Sequence, residues 1–389
     1  MHFCWVNSIG EIAASDWDQC FSKKHFARGY AYQKAIEDSS PRNVRFQYLL
    51  AFEDNALLAI IGCFGYRIPL SISATGPTRR FMNFIERFLP NLFTINGFFI
   101  GQLTSVCDHL YGLEKIPIDK RSDFFARCEP SILERAQKMR SSLIIHKEIP
   151  QKDLENLVPV LSDNYIIVSS LPSMELFVSN DKPYELQLRK KYRNRYRRRQ
   201  RSATEHGLNW SVHRGPISED LAKEMEHLYL QVLGRSATQF ERLSSPFFAS
   251  VLESCPGASV VLCKDKNKLV GFIINIEAQS TFHGLYLGYN SNYRSAAIYP
   301  NLIYRSIDIA QERGYEEIHL GQTSYETKSA LGAKRSELYL ALRARNPLIH
   351  AVLKLFRAHL FPATNVPSRR VFPANCSQTN LESRFTSKC

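Results

Sequence analysis

An internal echo constrains this chain more than any other feature. Gln47–Phe64 reads QYLLAFEDNALLAIIGCF, and Ser259–Ile276 reads SVVLCKDKNKLVGFIINI. Each is an apolar run, a polar turn (Glu53-Asp54-Asn55, then Asp265-Lys266-Asn267) and a second apolar run. That pattern predicts an antiparallel hairpin of buried strands. Each hairpin is followed by a helix and a strand: Ile132–Arg140 into Ser142–Ile149, and Leu302–Arg313 into Glu316–Gly321. The helix ends share wording, AQKMRSSLIIH against AQERGYEEIHL. In the second half a third strand, His283–Tyr289, precedes the helix. That helix opens near Tyr299-Pro300-Asn301, with Pro suited to its first turn, and stops at Gly314. A repeated hairpin, strand, helix and strand predicts an α/β fold (α+β, mixed sheet) with a helix crossing to a parallel neighbour. The expected organisation is two tandem units, 1–170 and 171–346. A basic helix at 183–206, an amphipathic helix at 347–362 and a mobile tail at 363–389 complete it.

At 389 residues there is room for two or three domains. With 44% hydrophobic and 22% charged residues, a largely disordered chain, a collagen and a coiled coil are excluded. The net charge of +13 suggests a phosphate-bearing partner. Residues 1–170 hold 19 Lys/Arg and 18 Asp/Glu, whereas residues 171–389 hold 31 and 19. Within the second half, Arg189–Arg201 (RKKYRNRYRRRQR) carries nine basic residues and no acid. Arg189, Arg193 and Arg197 form one i, i+4 row, where like charges repel and an anion would relieve the cost. Tyr192 and Tyr196 form a row suited to docking the helix. The row reads as a site for tRNA, for CoA or nucleotide phosphates or for an anionic lipid surface, or as a solvated charged face. No recognition motif of the usual DNA- or RNA-reading folds is present, so no DNA partner is expected.

The first twenty residues lack a basic n-region and an apolar h-region, so no signal peptide is expected. The longest apolar candidate, Ala56–Leu70, is too short to span a membrane and is broken by Gly62, Gly65, Arg67 and Pro69. The nine Cys form no CxxC and no zinc spacing, so no metal is expected. Cys63 and Cys263 lie in apolar runs and read as core filler. A reduced, cytoplasmic protein follows, peripheral at the inner membrane face if Pro347–Phe361 lies on lipid.

The second half resembles the acetyltransferase-like part of GNAT-superfamily proteins related to the Fem peptidoglycan-bridge aminoacyltransferases. The resemblance rests on a Gly/Tyr-rich strand, a Pro-led helix ending in Ala and Gly, a strand ending in Gly321, and then Lys328 and Gly332. The basic helix after Tyr184 and Leu188 and the early Trp17-Asp18 are similar too. It covers most of residues 10–345 and implies two GNAT-like units in tandem. It implies an N-acyltransferase moving an acyl or aminoacyl group to an amine, in cell-envelope, lipid or natural-product synthesis. The donor would be a thioester (acyl-CoA or a carrier protein) or a charged tRNA, with no tightly bound cofactor. One departure stands out. The loop Asn290–Ala297 (NSNYRSAA) lacks the glycines of an acetyl-CoA pyrophosphate loop, which favours another carrier. The rival expectation is a non-catalytic RNA- or tRNA-binding protein on a degenerate scaffold.

Acyl transfer needs a polarised carbonyl, a neutral amine and close contact between them. The expected strands are His283–Tyr289 and Glu316–Gly321, splayed so that backbone groups meet the donor. No nucleophile is required, and no Gly-x-Ser-x-Gly elbow is present. Lys328, in the loop past the second strand, is a cation for the oxyanion or a phosphate, or else a solvated loop lysine. His283 is a base that keeps the amine neutral, or a satisfied structural histidine. Tyr289 could protonate a leaving group, or simply pack. Tyr299, Asn301, Gln322 and Tyr325 surround the same strand ends and are the expected substrate contacts.

Overall fold

The computed structural model describes residues 1–373 apart from 22–24, 42, 70–93, 163 and 237–240. Two mixed sheets form. The strands of the first half are β1 (His2–Val6), β2 (Arg45–Glu53), β3 (Ala56–Pro69), β4 (Thr94–Ile100), β5 (Tyr111–Gly112), β6 (Leu143–Pro150) and β7 (Ile166–Ser169). Those of the second are β8 (Ser173–Phe177), β9 (Leu208–His213), β10 (Ala258–Asp265), β11 (Lys268–Glu277), β12 (Phe282–Tyr289), β13 (Glu317–His319), β14 (Lys334–Ser336) and β15 (Leu338–Ala344). The first sheet runs β1-β2-β3-β4-β6-β15-β7, with β5 on β3; the second runs β14-β8-β13-β12-β11-β10-β9.

The echo in the sequence is an echo in space. The hairpins β2–β3 and β10–β11 are antiparallel, and β4 and β12 add to them antiparallel. A helix then crosses to a parallel strand, β6 or β13. The chain also passes between the two sheets, and one strand of the second half, β15, joins the first. β7 and β8 are consecutive in sequence but join different sheets, and so are β14 and β15. The strand next to β6 is β15, which pairs Leu338↔Pro150 through Ala344↔Leu143. The strand next to β13 is β8. Each sheet therefore holds a strand whose sequence neighbour lies in the other.

A shared apolar core reinforces that crossover. Helix α1 (Tyr30–Ser39) brings Tyr32, Ala35 and Ile36 against Phe247, Phe248 and Val251 of α5 (Ser245–Ser254), and against Met225 and Leu228 of α4 (Glu219–Leu233). Non-directional burial of this kind is the main favourable term in holding two such bodies together. The α4 cap forms as expected, with Ser218 Oγ accepting from the Leu221 N–H. In the first unit, the crossing helix α2 (Arg121–Lys138) is longer than expected.

Three expectations are corrected. The helix over Pro183–His206 is broken. Tyr184–Gln187 makes one turn, Leu188 and Arg189 are extended, and α3 runs Lys190–Glu205. Leu188 is buried, and the Arg189 N–H donates to the Val371 carbonyl, so that donor is satisfied outside the helix. Val371 and Phe372, read as part of a mobile tail, are buried in the second core, with the Phe372 ring against Gly332. Residues 374–389 lie outside the described residues. The last amphipathic helix is shorter than expected: α8 covers Pro347–Leu355, and one further turn covers Arg357–Leu360. Its apolar row faces outward, with Leu348 78% and Leu355 77% exposed.

Candidate functional site

The parallel pair β12–β13 organises the site. Only Phe282↔Ile318 and His283↔His319 pair, so the strands part immediately beyond the histidines. On its other side β12 carries an irregularity. Ile273 pairs with Leu287 while Asn275 pairs with Gly284, which leaves an extra residue around Leu285-Tyr286. Such bulges re-aim side chains beside functional sites. Here Tyr286 reaches the first unit, where its hydroxyl lies 2.9 Å from that of Tyr32. Gly288 lets α4 approach: a Cβ there would sit 2.5 Å from the Tyr229 nitrogen.

At the crotch, three histidines converge from distant parts of the chain. The ring of His283 lies 4.7 Å from those of His25 and His319, and the latter two are 6.3 Å apart. His25 caps the turn Phe26–Arg28 of the first unit. Burial pushes His25 down to about 3, with the Asp108 charge opposing, and burial holds His283 well below its ordinary value. Burial lowers His319 as well, but the Glu317 hydrogen bond and the charges of Glu175, Glu317 and Asp108 outweigh it and raise the group. Asp108 is fixed by two bonds from Arg28, at 2.6 and 2.8 Å.

Past the splay, the segment after β13 is held tightly. Lys328, expected in a loop, lies on the short helix α7 (Tyr325–Ser329) and is 5% exposed. It is therefore no solvated lysine. Its Nζ donates to the carbonyls of Gly321 (3.2 Å) and Gln322 (2.5 Å). Burial pushes the ammonium down to about 7. Gln322 donates to the Leu171 carbonyl at 2.9 Å and lies 3.5 Å from Glu148 Oε1. Glu148 Oε2 accepts from the Cys107 N–H at 2.8 Å. Thr323, Ser324, Cys107 and Glu148 all have φ between +51° and +67°. Left-handed backbone at non-glycine residues costs about 1–3 kcal/mol each and clusters at functional sites.

The other predicted residues divide. The rings of Tyr289 and Tyr299 meet at a tilt, with centroids 5.8 Å apart, and Arg235 lies over Tyr289 at 4.9 Å. Burial raises the Tyr299 phenol to about 12, eased by a bond to Ser324. The structure thus brings Tyr289, Tyr299 and the 322–325 segment to one edge of the splay. Tyr325 donates to the Pro172 carbonyl. Asn301 is fully buried and donates to the Arg199 carbonyl, so it fastens α3 to α6 (Ile298–Glu312). Arg193 donates to the carbonyls of Leu186 and Leu188, and Arg197 pairs with Glu185 at 2.5 Å. Those two arms hold the preceding turn. Arg189 caps α3.

Sequence reasoning missed the side of α3 that meets the loop before α6. Ser202 donates to the Ser295 carbonyl, the Arg199 guanidinium donates to the Tyr304 hydroxyl, and His206 lies 3.1 Å from Ser295 Oγ. Arg198 and Arg201 remain exposed on the same helix. The row Asn194, Arg198, Arg201 was readable at i, i+4 and i, i+3 spacing. Burial pushes the Cys263 thiol up to about 12, as a core cysteine requires. No helix among the described residues is long and apolar enough to cross a membrane.

Residues 190–329 match the family model described as "Acetyltransferase (GNAT) domain". No curated protein matches the chain. Among solved structures, FemX is similar over 91% of this chain and all of its own, at 11% identity and a TM-score of 0.54. L-PGS from Bacillus licheniformis covers 86% of this chain and 96% of its own at 13% identity and a TM-score of 0.50. A tandem GNAT protein from the clavulanic acid biosynthesis pathway covers 89% and 99% at 9% identity and the same TM-score. With the paired sheets, these likenesses show that residues 190–329 form a GNAT domain within a Fem-like, two-unit GNAT fold.

Proposed function

We propose that the chain is an N-acyltransferase that moves an acyl or aminoacyl group from a thioester or charged tRNA to an amine. The observation that carries this reading is the β12–β13 pair, which is joined at His283↔His319 and open beyond it, under a first unit that reaches in with His25 and Tyr32. A donor laid in the opening would meet unpaired backbone groups of both strands, and positioning alone supplies about 7–11 kcal/mol in favourable systems. Burial holds His283 well below its ordinary value, which makes it a poor proton acceptor, so its place in this reading is at the floor of the opening rather than as the base. Lys328 supports the donor side by fixing Gly321 and Gln322. The phosphates of a CoA, carrier-protein or tRNA donor would lie along Arg198 and Arg201, beside the loop 290–297. No tightly bound cofactor enters the scheme. The exposed row Leu348, Ile349, Val352 and Leu355, with Lys354 beside it, suits peripheral contact with an anionic membrane from the cytoplasmic side.

The test uses the full chain with a panel of acyl-CoAs and charged tRNAs, and mass spectrometry of donor, acceptor amines and co-purifying small molecules. Transfer from at least one donor class to an amine is expected. If every donor survives while RNA is bound with a steep salt dependence, the chain is instead a non-catalytic RNA-binding protein.

A further inference from the structure

The three histidines form more than a packed cluster. One ligand nitrogen from each of His25, His283 and His319 lies within 4.8 Å of the others. In a tetrahedral zinc site with metal–nitrogen bonds near 2.0–2.1 Å, ligand nitrogens sit about 3.4 Å apart. A contraction of at most about 1.4 Å, by turns of the three rings, closes that gap. Each ring also has an outer partner. His283 Nε2 lies 2.8 Å from Thr281 Oγ1, and His319 Nε2 lies 2.8 Å from Glu317 Oε1. His25 Nδ1 accepts from the Ala27 N–H at 3.3 Å and faces Asp108 Oδ2 at 3.7 Å. Hydroxyl and carboxylate acceptors on one nitrogen orient metal-binding histidines; for His25 the acceptor of that kind is Asp108 Oδ2, and the Ala27 N–H bond to Nδ1 gives way when Nδ1 carries the proton.

The surrounding charge agrees. Glu317 lies 2.8 Å from His319, Glu175 sits opposite His319 across β8–β13, and Asp108 lies 3.7 Å from His25. Two of the rings face each other at the last paired step of the parallel strands.

We propose that His25, His283 and His319 form a binding site for a divalent metal ion of the zinc class. The ion ties the first unit to the parting strands of the second. Three imidazoles suit zinc, cobalt or nickel rather than magnesium or calcium, which take oxygen ligands. Three protein ligands leave a coordination position for water or a substrate atom. The site does not depend on the acyl-transfer reading, since it concerns binding alone.

The experiment uses untagged full-length protein, stripped with chelator and dialysed. Zinc content is read by elemental mass spectrometry after re-addition of zinc, and cobalt(II) is titrated by its visible d–d bands. One ion per chain is expected, with bands of a nitrogen-ligated, low-coordinate ion. His25→Ala lies at a loop and leaves the sheet intact; it should weaken cobalt binding by at least about tenfold. His319→Gln, which keeps a polar side chain in the strand, should do the same. Zinc should raise the melting temperature of the wild type and not of either variant. Less than one equivalent bound by the wild type, or binding in both variants equal to it, overturns the proposal.

Discussion

Replacing Lys328 by Met tests whether this lysine is a fixed cation or a neutral strut. The Met side chain fills a similar volume and removes the donor shared by the Gly321 and Gln322 carbonyls. Burial places the lysine near pH 7, whereas an unfolded lysine titrates near 10.4. Between those values the unfolded chain binds a proton that the native chain lacks, so stability rises with pH across the window. Below about pH 7 both states are protonated and the slope ends. A full proton difference is worth about 1.4 kcal/mol per pH unit. From pH 7 to pH 9 the difference grows from about half a proton to nearly one, which integrates to about 2 kcal/mol. The Met variant has no such group. The stability of the wild type relative to the variant should therefore increase by about 2 kcal/mol between pH 7 and pH 9. Urea unfolding of both proteins by circular dichroism, at both pH values, gives the four numbers needed. The comparison cancels the titration of every other group. A gap of equal size at both pH values would refute the reasoning. It would mean that the two carbonyl contacts keep the ammonium charged, as a role beside an oxyanion would demand. In either case turnover should fall more than stability does, because Gly321 and Gln322 edge the splay.

Gly288→Ala should destabilise the second unit by about 1–3 kcal/mol, since its Cβ would meet the backbone of Leu228 and Tyr229 at 2.6 and 2.5 Å; an unchanged urea midpoint would contradict the close packing of α4 on β12. Arg198→Glu with Arg201→Glu should raise the KM for a phosphate-bearing donor about tenfold or more and flatten its salt dependence, while leaving the unfolding midpoint nearly unchanged. An unaltered KM would remove α3 from the donor site.

The architecture was legible because it is written in local patterns. Two apolar hairpins, a Pro-led helix and a capped helix at Ser218 each use signals that span a few residues. β10–β11 and β12 begin and end within a residue or two of expectation, whereas β3 runs five residues past the expected end of its hairpin. The broken helix at Leu188-Arg189 was not legible. Its cause is a carbonyl at Val371, 182 residues onward, and nothing in the basic run signals it. The same holds for Phe372, which a polar stretch conceals and which finds its place only against Gly332.

The site was legible in part, and the division follows the same physics. Tyr289, Tyr299, Gln322 and Lys328 are close in sequence to the two parallel strands, so locating the strands located the residues. Lys328 was found for a role as a cation, yet its burial depends on how the segment after β13 folds back onto its own carbonyls. The histidine cluster needs two facts that no spacing holds. One is the register that sets His283 opposite His319 across a parallel pair. The other is the docking of the first unit, which carries His25 over both. The strand crossover builds that docking into the fold, because β15 of the second half is a strand of the first sheet. A site composed from both units can therefore persist only while the crossover does. Its chemistry is a property of the assembled pair rather than of the segment 190–329 taken alone.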